Sequence, residues 1–236
     1  IVIPSHIASL QSYIPGKPVE TLKREKGLDR IVKLASNENP CGPSPKALAV
    51  LQQYAAESHI YPDADAHTLV QALSQHLRVS PEHIVCGSGI DSLLGTIINA
   101  FTEAGDDVLT FQGSFFGFYI NARKFNRTLR LVPLIDYHLD LSLLLKHISP
   151  RTKLVYIANP NNPTGTLCGG RELENFLSRV PRHVLVILDE AYHSFASVHP
   201  DYPDGLQYLQ ENVIVTRTFS KDYGLVIHHF HYFRIY

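Results

Sequence analysis

Methionine is missing altogether from this chain of 236 residues, cysteine occurs three times, and 21 basic against 22 acidic residues leave a net charge of −1. The chain opens on Ile1, so the start of the natural reading frame is expected to lie outside this sequence. Cys41, Cys86 and Cys168 are odd in number, far apart and form no CxxC pair. That excludes a disulfide framework and a zinc ribbon, and points to a reducing, cytoplasmic setting. Near-zero charge leaves no basic footprint for nucleic acid and no polybasic patch for a membrane surface. Long apolar runs are missing too: 93–101 and 184–188 fall far short of the roughly 20 residues that cross a bilayer, and the start lacks the charge and cleavage pattern of a secretory leader.

What is present can build a full core. With 44% hydrophobic and 18% charged residues, the length fits one large domain, alone or with an appendage. Of 13 histidines, ten are scattered as surface or satisfied core residues are. His228, His229 and His231 crowd together but have no partner cluster, so no metal is expected.

Pro4, Pro15, Pro18, Pro40, Pro43 and Pro45 break up residues 1–45, which therefore read as an irregular N-terminal arm. Apolar residues at helical spacing predict helices over 45–59 and 66–77, separated by Pro62. From residue 84 short apolar runs (84–86, 108–111, 129–134, 154–158, 184–188, 213–216) alternate with segments that serve as crossovers, at 91–101, 117–125, 139–147, 170–180 and 206–210. Buried strands alternating with helices predict an α/β domain, a mainly parallel sheet with helices on both faces, over 46–225. Residues 226–236 form a divergent tail.

Ligands of such sheets sit outside the carboxyl ends of the strands, and three chemical segments fall there. Asp189 ends the run 184–188 and should emerge on a buried strand, where a carboxylate stays ionised only with a cationic or hydrogen-bonding partner. A protonated pyridine nitrogen is such a partner. Tyr192 lies three residues on, and Asn162 stands in the turn Asn159-Pro160-Asn161-Asn162-Pro163-Thr164-Gly165; both suit a phenolic oxygen. The run Cys86-Gly87-Ser88-Gly89 leads from a strand into a helix, so the amides near Ile90, Asp91 and Ser92 can face a phosphate. It lacks the third glycine of a dinucleotide fingerprint. Lys221, in Thr218-Phe219-Ser220-Lys221, then completes a site for pyridoxal phosphate: its amine forms the Schiff base and, once displaced, moves the substrate's α-proton. Ser220 adds a hydroxyl to the phosphate, and Phe116, in the loop after 108–111, is placed to stack on a planar ring.

These segments together resemble the class I/II aminotransferases of fold type I, and within them most closely the histidinol-phosphate aminotransferases. The narrowing comes from Ser12-Tyr13-Ile14-Pro15-Gly16-Lys17-Pro18, from Lys33-Leu34-Ala35-Ser36-Asn37-Glu38-Asn39-Pro40 and from Tyr61-Pro62-Asp63. The resemblance runs over about residues 5–225. It implies amino-group exchange between histidinol phosphate or imidazole-acetol phosphate and glutamate or 2-oxoglutarate, within histidine biosynthesis. It implies that Lys221 binds pyridoxal 5'-phosphate covalently, that Asp189 pairs with the pyridine nitrogen, and that Asn162 and Tyr192 contact the phenolic oxygen. Ile90, Asp91, Ser92 and Ser220 surround the phosphate, and Phe116 takes the ring-stacking place. Tyr61 reaches the phosphate of a neighbouring subunit, which implies a homodimer, while Tyr13 and Asn39 face the substrate.

Two departures stand out. Ser92 replaces a usual acidic residue, and after Leu225 the text leaves the family pattern, so that His229 stands where a phosphate-binding arginine would be. A histidine, mostly neutral at pH 7 and without a guanidinium fork, is a poor substitute. The expectation is a chain truncated after the Schiff-base lysine, with the small C-terminal domain absent. Rival readings are an aromatic-amino-acid aminotransferase or a phosphothreonine-type decarboxylase of the same fold, or a non-catalytic cofactor-binding remnant.

Overall fold

The computed structural model describes residues 2–10, 16–208 and 210–226, and the backbone of 230–234. Seven strands form one sheet: β1 (Ile84–Ser88), β2 (Asp107–Phe111), β3 (Thr128–Val132), β4 (Thr152–Ala158), β5 (Leu185–Asp189), β6 (Val213–Thr218) and β7 (Phe230–Arg234). Their order is β1-β7-β6-β5-β4-β2-β3. Pairs β3/β2, β2/β4, β4/β5 and β5/β6 are parallel, whereas β7 runs antiparallel to both β6 and β1. Every apolar run predicted as a strand is one, within a residue or two at each end. The tail contributes more than expected, because 230–234 enter the sheet as β7.

Helices α3 (Pro45–Tyr54) and α4 (His67–Leu77) precede the sheet, and α5 (Ile90–Phe101), α6 (Phe116–Lys124), α7 (Leu141–Lys146) and α8 (Gly170–Leu177) lie between its strands. The last crossover is slighter than its sequence predicts: Gly205–Gln207 make one 3-10 turn, and α9 (His193–Ala196) is a single turn after β5. The arm also departs from its irregular reading, with α1 (Ser5–Ala8) and an eight-residue α2 (Val19–Lys26). Pro18 stands at the start of α2, Glu20 lies in its first turn, Lys23, Arg24 and Lys26 lie in its last, and Gly27 closes it at φ 63°. Proline before a helix and left-handed glycine after it are terminators, so counting prolines underrates the helix between them.

Alternation along the strands splits the core into two layers. Leu109, Val155, Ile157, Val186, Leu188, Val213 and Val215 point to one face and pack against Leu141 and Leu144 of α7 and Leu173, Phe176 and Leu177 of α8. Val108, Leu154, Tyr156, Ile187 and Ile214 point to the other and pack against Leu94, Ile97 and Ile98 of α5 and Phe118 and Ala122 of α6. With both faces covered, the central strands carry no solvent side, which is why they read as unbroken apolar runs. Replacing Ile157, fully buried on the inner strand β4, by alanine is expected to cost about 2–5 kcal/mol of stability. Urea unfolding checks this; a loss below about 1 kcal/mol would contradict a close-packed layer there.

Candidate active site

The parallel strands end level with one another, and the loops that leave them meet around a cavity of about 240 Å³. Gly89, Ile90 and Asp91 line it from the β1–α5 junction, Phe115 from the loop after β2, Pro160 and Asn162 from the loop after β4, Asp189 and Tyr192 from β5, and Ser220 and Lys221 from β6. Five strands thus contribute to one small space.

Register explains the floor of this cavity. Ala158 and Asp189 are paired on β4 and β5, as are Asp189 and Thr216 on β5 and β6, so Tyr156, Asp189 and Thr216 share a face by the two-residue period of strands. Tyr156 Oη donates to Asp189 Oδ2 at 2.6 Å, Thr216 Oγ1 donates to Oδ1 at 3.1 Å, and the Ala191 N–H donates to the same Oδ1 at 3.1 Å. Asp189 is only 4% exposed. Burial pushes its pKa upward, while the two hydroxyls, the amide and the Lys221 charge pull it back. A carboxylate in this position favours a cation in the cavity.

The turn after β4 is held on all sides. Asn159 exchanges hydrogen bonds with Cys168, donating to its carbonyl at 3.2 Å and accepting from its N–H at 3.0 Å. Asn161 donates to the Gly113 carbonyl at 3.0 Å, and the Gly165 N–H donates to the Asn161 carbonyl at 2.8 Å. With those two asparagines committed to the scaffold, Asn162 is the one that lines the cavity. Opposite, Gly89 at φ 92° starts α5, whose first amides have no partner within the helix and face the cavity with the positive end of the dipole. The donor set, a buried carboxylate at one side and a helix N-terminus at the other, suits a planar cationic heterocycle carrying an anionic group.

Lys221 lies between them. Burial lowers its pKa, opposed by Glu38 and Asp189, so its amine is more available as a free base than an exposed lysine's. Its Nζ donates to the Ser36 carbonyl at 3.2 Å, Asn37 Nδ2 donates to Tyr192 Oη at 2.9 Å, and Asn39 Nδ2 donates to the Asp222 carbonyl at 2.8 Å. The arm therefore lies across the lysine loop. Gly224, at φ 66°, fits against it so closely that an added Cβ would stand 2.7 Å from the Gly42 carbonyl group.

The class I and II aminotransferase family model matches residues 29–226. The chain belongs to this family. It is 45% identical over 227 residues to a histidinol-phosphate aminotransferase of Anaeromyxobacter sp., a match that covers 95% of the chain and 62% of the relative. A histidinol-phosphate aminotransferase of Moorella thermoacetica is 40% identical over 222 residues, covering 93% and 57%. Among solved structures, the histidinol-phosphate aminotransferase from Sinorhizobium meliloti in complex with pyridoxal-5'-phosphate matches with a TM-score of 0.89 at 35% identity, covering 99% of this chain and 62% of that one. The chain spans about 60% of the length of these relatives.

In this aminotransferase fold the cavity gathers Lys221, Asp189, Tyr192, Asn162, Ile90, Asp91 and Ser220. Other residues singled out in the sequence fall elsewhere. Phe116 opens α6 at 40% exposure, edge-on to Tyr119, and its neighbour Phe115 lines the cavity instead. The Phe115 ring folds against Gly117, where a Cβ would stand 2.5 Å from it. Ser92 turns its hydroxyl back to the carbonyls of Ser88 and Gly89 at 2.8 and 2.9 Å, Asn39 is spent on the lysine loop, and Tyr61 is 97% exposed. Tyr13 and His229 lie outside the described residues.

One cluster escaped the sequence reading. Glu190 follows Asp189 and is buried; its Oε2 accepts from Arg217 Nε at 2.9 Å and Nη2 at 2.7 Å, and its Oε1 accepts from the Gly205 N–H at 2.7 Å. Arg217 also bonds Asp204 at 2.6 Å. Glu190, His193 and Asp204 come together as metal ligands do, but the guanidinium already bridges the two acids. Charged residues at the very ends of β5 and β6 were the available signal. Burial pushes the Glu190 carboxyl up to about 7, against the pull of Arg217, whereas in an unfolded chain it titrates near about 4.3. Between those values the folded state binds more protons, so this contribution to stability is full below the lower value and is lost as pH rises toward 7. Urea midpoints measured from pH 4.5 to 7.5 should show this decline in the wild type and a flatter profile in Glu190→Gln; parallel profiles would refute it.

Proposed function

We propose that this chain forms the pyridoxal-phosphate-binding large domain of a histidinol-phosphate aminotransferase. The reaction is amino-group exchange between histidinol phosphate and imidazole-acetol phosphate, with glutamate and 2-oxoglutarate as the second pair. The observation that carries the cofactor assignment is the joining of an amine, a buried carboxylate and a helix N-terminus in one 240 Å³ cavity. The substrate assignment is supported by relatives of that name at 40–45% identity and by the structural match at TM-score 0.89.

When bound, pyridoxal phosphate supplies an electron sink beside the substrate's Cα. Lys221 would hold it covalently, and its Nζ would be the base for the substrate's α-proton; burial favours the neutral amine this needs. Asp189, anchored by Tyr156, Thr216 and Ala191, faces the ring nitrogen and favours its positive charge. Asn162 and Tyr192 donate to the phenolic oxygen, with Asn37 holding the Tyr192 hydroxyl. The amides of Ile90, Asp91 and Ser92, with the Ser220 hydroxyl, would hold the phosphate, and Phe115 would pack beside the ring. Tyr61, wholly exposed here, reaches the phosphate of a second subunit in a cytoplasmic homodimer, and Tyr13 acts on the substrate side, while Asn39 braces the lysine loop behind it.

Incubation with pyridoxal phosphate, borohydride reduction and peptide mapping should place the label on Lys221 and nowhere else. In Lys221→Ala the label should vanish and single-turnover amino transfer should fall by about 10²–10⁴-fold or more. A label that survives the substitution would refute the cofactor assignment. Faster transfer from tyrosine than from histidinol phosphate would refute the substrate, and bound cofactor without transfer from either would leave a binding module in place of an aminotransferase.

A further inference from the structure

We infer that Tyr156 and Thr216 are positioning residues of this site, a pair of hydroxyls reaching in from the strands on either side of β5 to hold one oxygen each of Asp189. The inference rests on the proposed pyridoxal-phosphate site and deepens it. Tyr156 is fully buried, yet its side chain borders the cavity. Its ring stacks on Phe118 with centroids 4.4 Å apart and planes 12° from parallel, which fixes the direction of the hydroxyl. That hydroxyl reaches Asp189 Oδ2 at 2.6 Å, a short distance suited to a charge-assisted bond. Thr216, also fully buried, sits opposite Asp189 in the β5/β6 register and reaches Oδ1 at 3.1 Å.

Neither hydroxyl is needed to fill the core. A phenylalanine would keep the stack on Phe118, and a valine would keep the volume of Thr216, while a buried hydroxyl without a partner is costly. Each therefore makes sense as a donor to the carboxylate. The bonds do two things to Asp189: they fix its rotamer, and they favour its ionised form against the burial that opposes it. Both effects act on a ligand only through a basic ring nitrogen. Neither touches the lysine or the phosphate end.

The distinguishing probe is a cofactor analogue, 1-deaza-pyridoxal phosphate, in which the ring nitrogen is replaced by carbon. Equilibrium dialysis of the full chain against pyridoxal phosphate should show Tyr156→Phe weakening binding by about tenfold or more, with deaza-analogue affinity changed less than about threefold, because a lost bond to a charged group is felt only where that charge has a partner. In an Asp189→Asn background, Tyr156→Phe should add almost nothing, as for two residues acting on one interaction. Thr216→Val is the second arm and should show the same selectivity at smaller size; it carries the test if Tyr156→Phe fails to fold by urea denaturation. Equal weakening of both ligands, additive losses in the Asp189→Asn background, or unchanged affinity would overturn the positioning role while leaving the cofactor site standing. A wild-type chain without affinity for pyridoxal phosphate would overturn the cofactor proposal, and this inference with it.

Discussion

A carboxylate at 4% exposure cannot keep its charge without help, and much of this structure is the help given to Asp189. Taking an ion out of water costs several kcal/mol that only well-placed donors or a counter-charge can offset. Placing those donors requires β4, β5 and β6 to end in register, because the tyrosine, the aspartate and the threonine come from three different strands. Register in turn depends on the two apolar layers, since a slip by one residue would exchange Tyr156, Ile187 and Ile214 with side chains of the opposite layer. The chemistry at the mouth of the sheet and the packing inside it are one constraint seen at two depths.

A buried pair of opposite charges works beside that carboxylate. Glu190 and Arg217 tie the end of β5 to the end of β6, immediately before the segments that present Tyr192 and Lys221. Breaking one partner of such a pair leaves an uncompensated ion, a far larger penalty than the pair's net worth. The arm adds a third tie, from Asn37 and Asn39 to Tyr192 and the lysine loop. The amine is thus surrounded by loops that are each anchored to something other than the ligand.

Most of the sheet was legible in the sequence because parallel strands covered on both faces are continuous apolar runs, and the residues that end those runs emerge at the site. Asp189, Asn162 and Lys221 could be found that way. Tyr156 could not: inside the run 154–158 an aromatic is indistinguishable from core until its hydroxyl is seen to have a partner. Phe115 and Phe116 differ by one position in a turn, and turn geometry around Gly117 is invisible to composition. Ser92 shows the limit of residue type in another way: the helix start claims its hydroxyl for the carbonyls of Ser88 and Gly89, which leaves its amide as the group that can face the cavity. The arm helix Val19–Lys26 was hidden by its own punctuation.

β1 carries the loop that opens α5, yet among the described residues it pairs with β7 alone, with Ile84 opposite Arg234. The first and last of the seven strands in sequence therefore adjoin in space. Contacts of such separation bear the largest loop-closure cost and form late. A growing polypeptide would complete the five parallel strands while the glycine-bearing strand β1 still waited for its neighbour, held meanwhile by α4 and α5. The side of the cavity lined by Gly89, Ile90 and Asp91 then takes shape after the parallel strands, because the strand that carries it waits for β7.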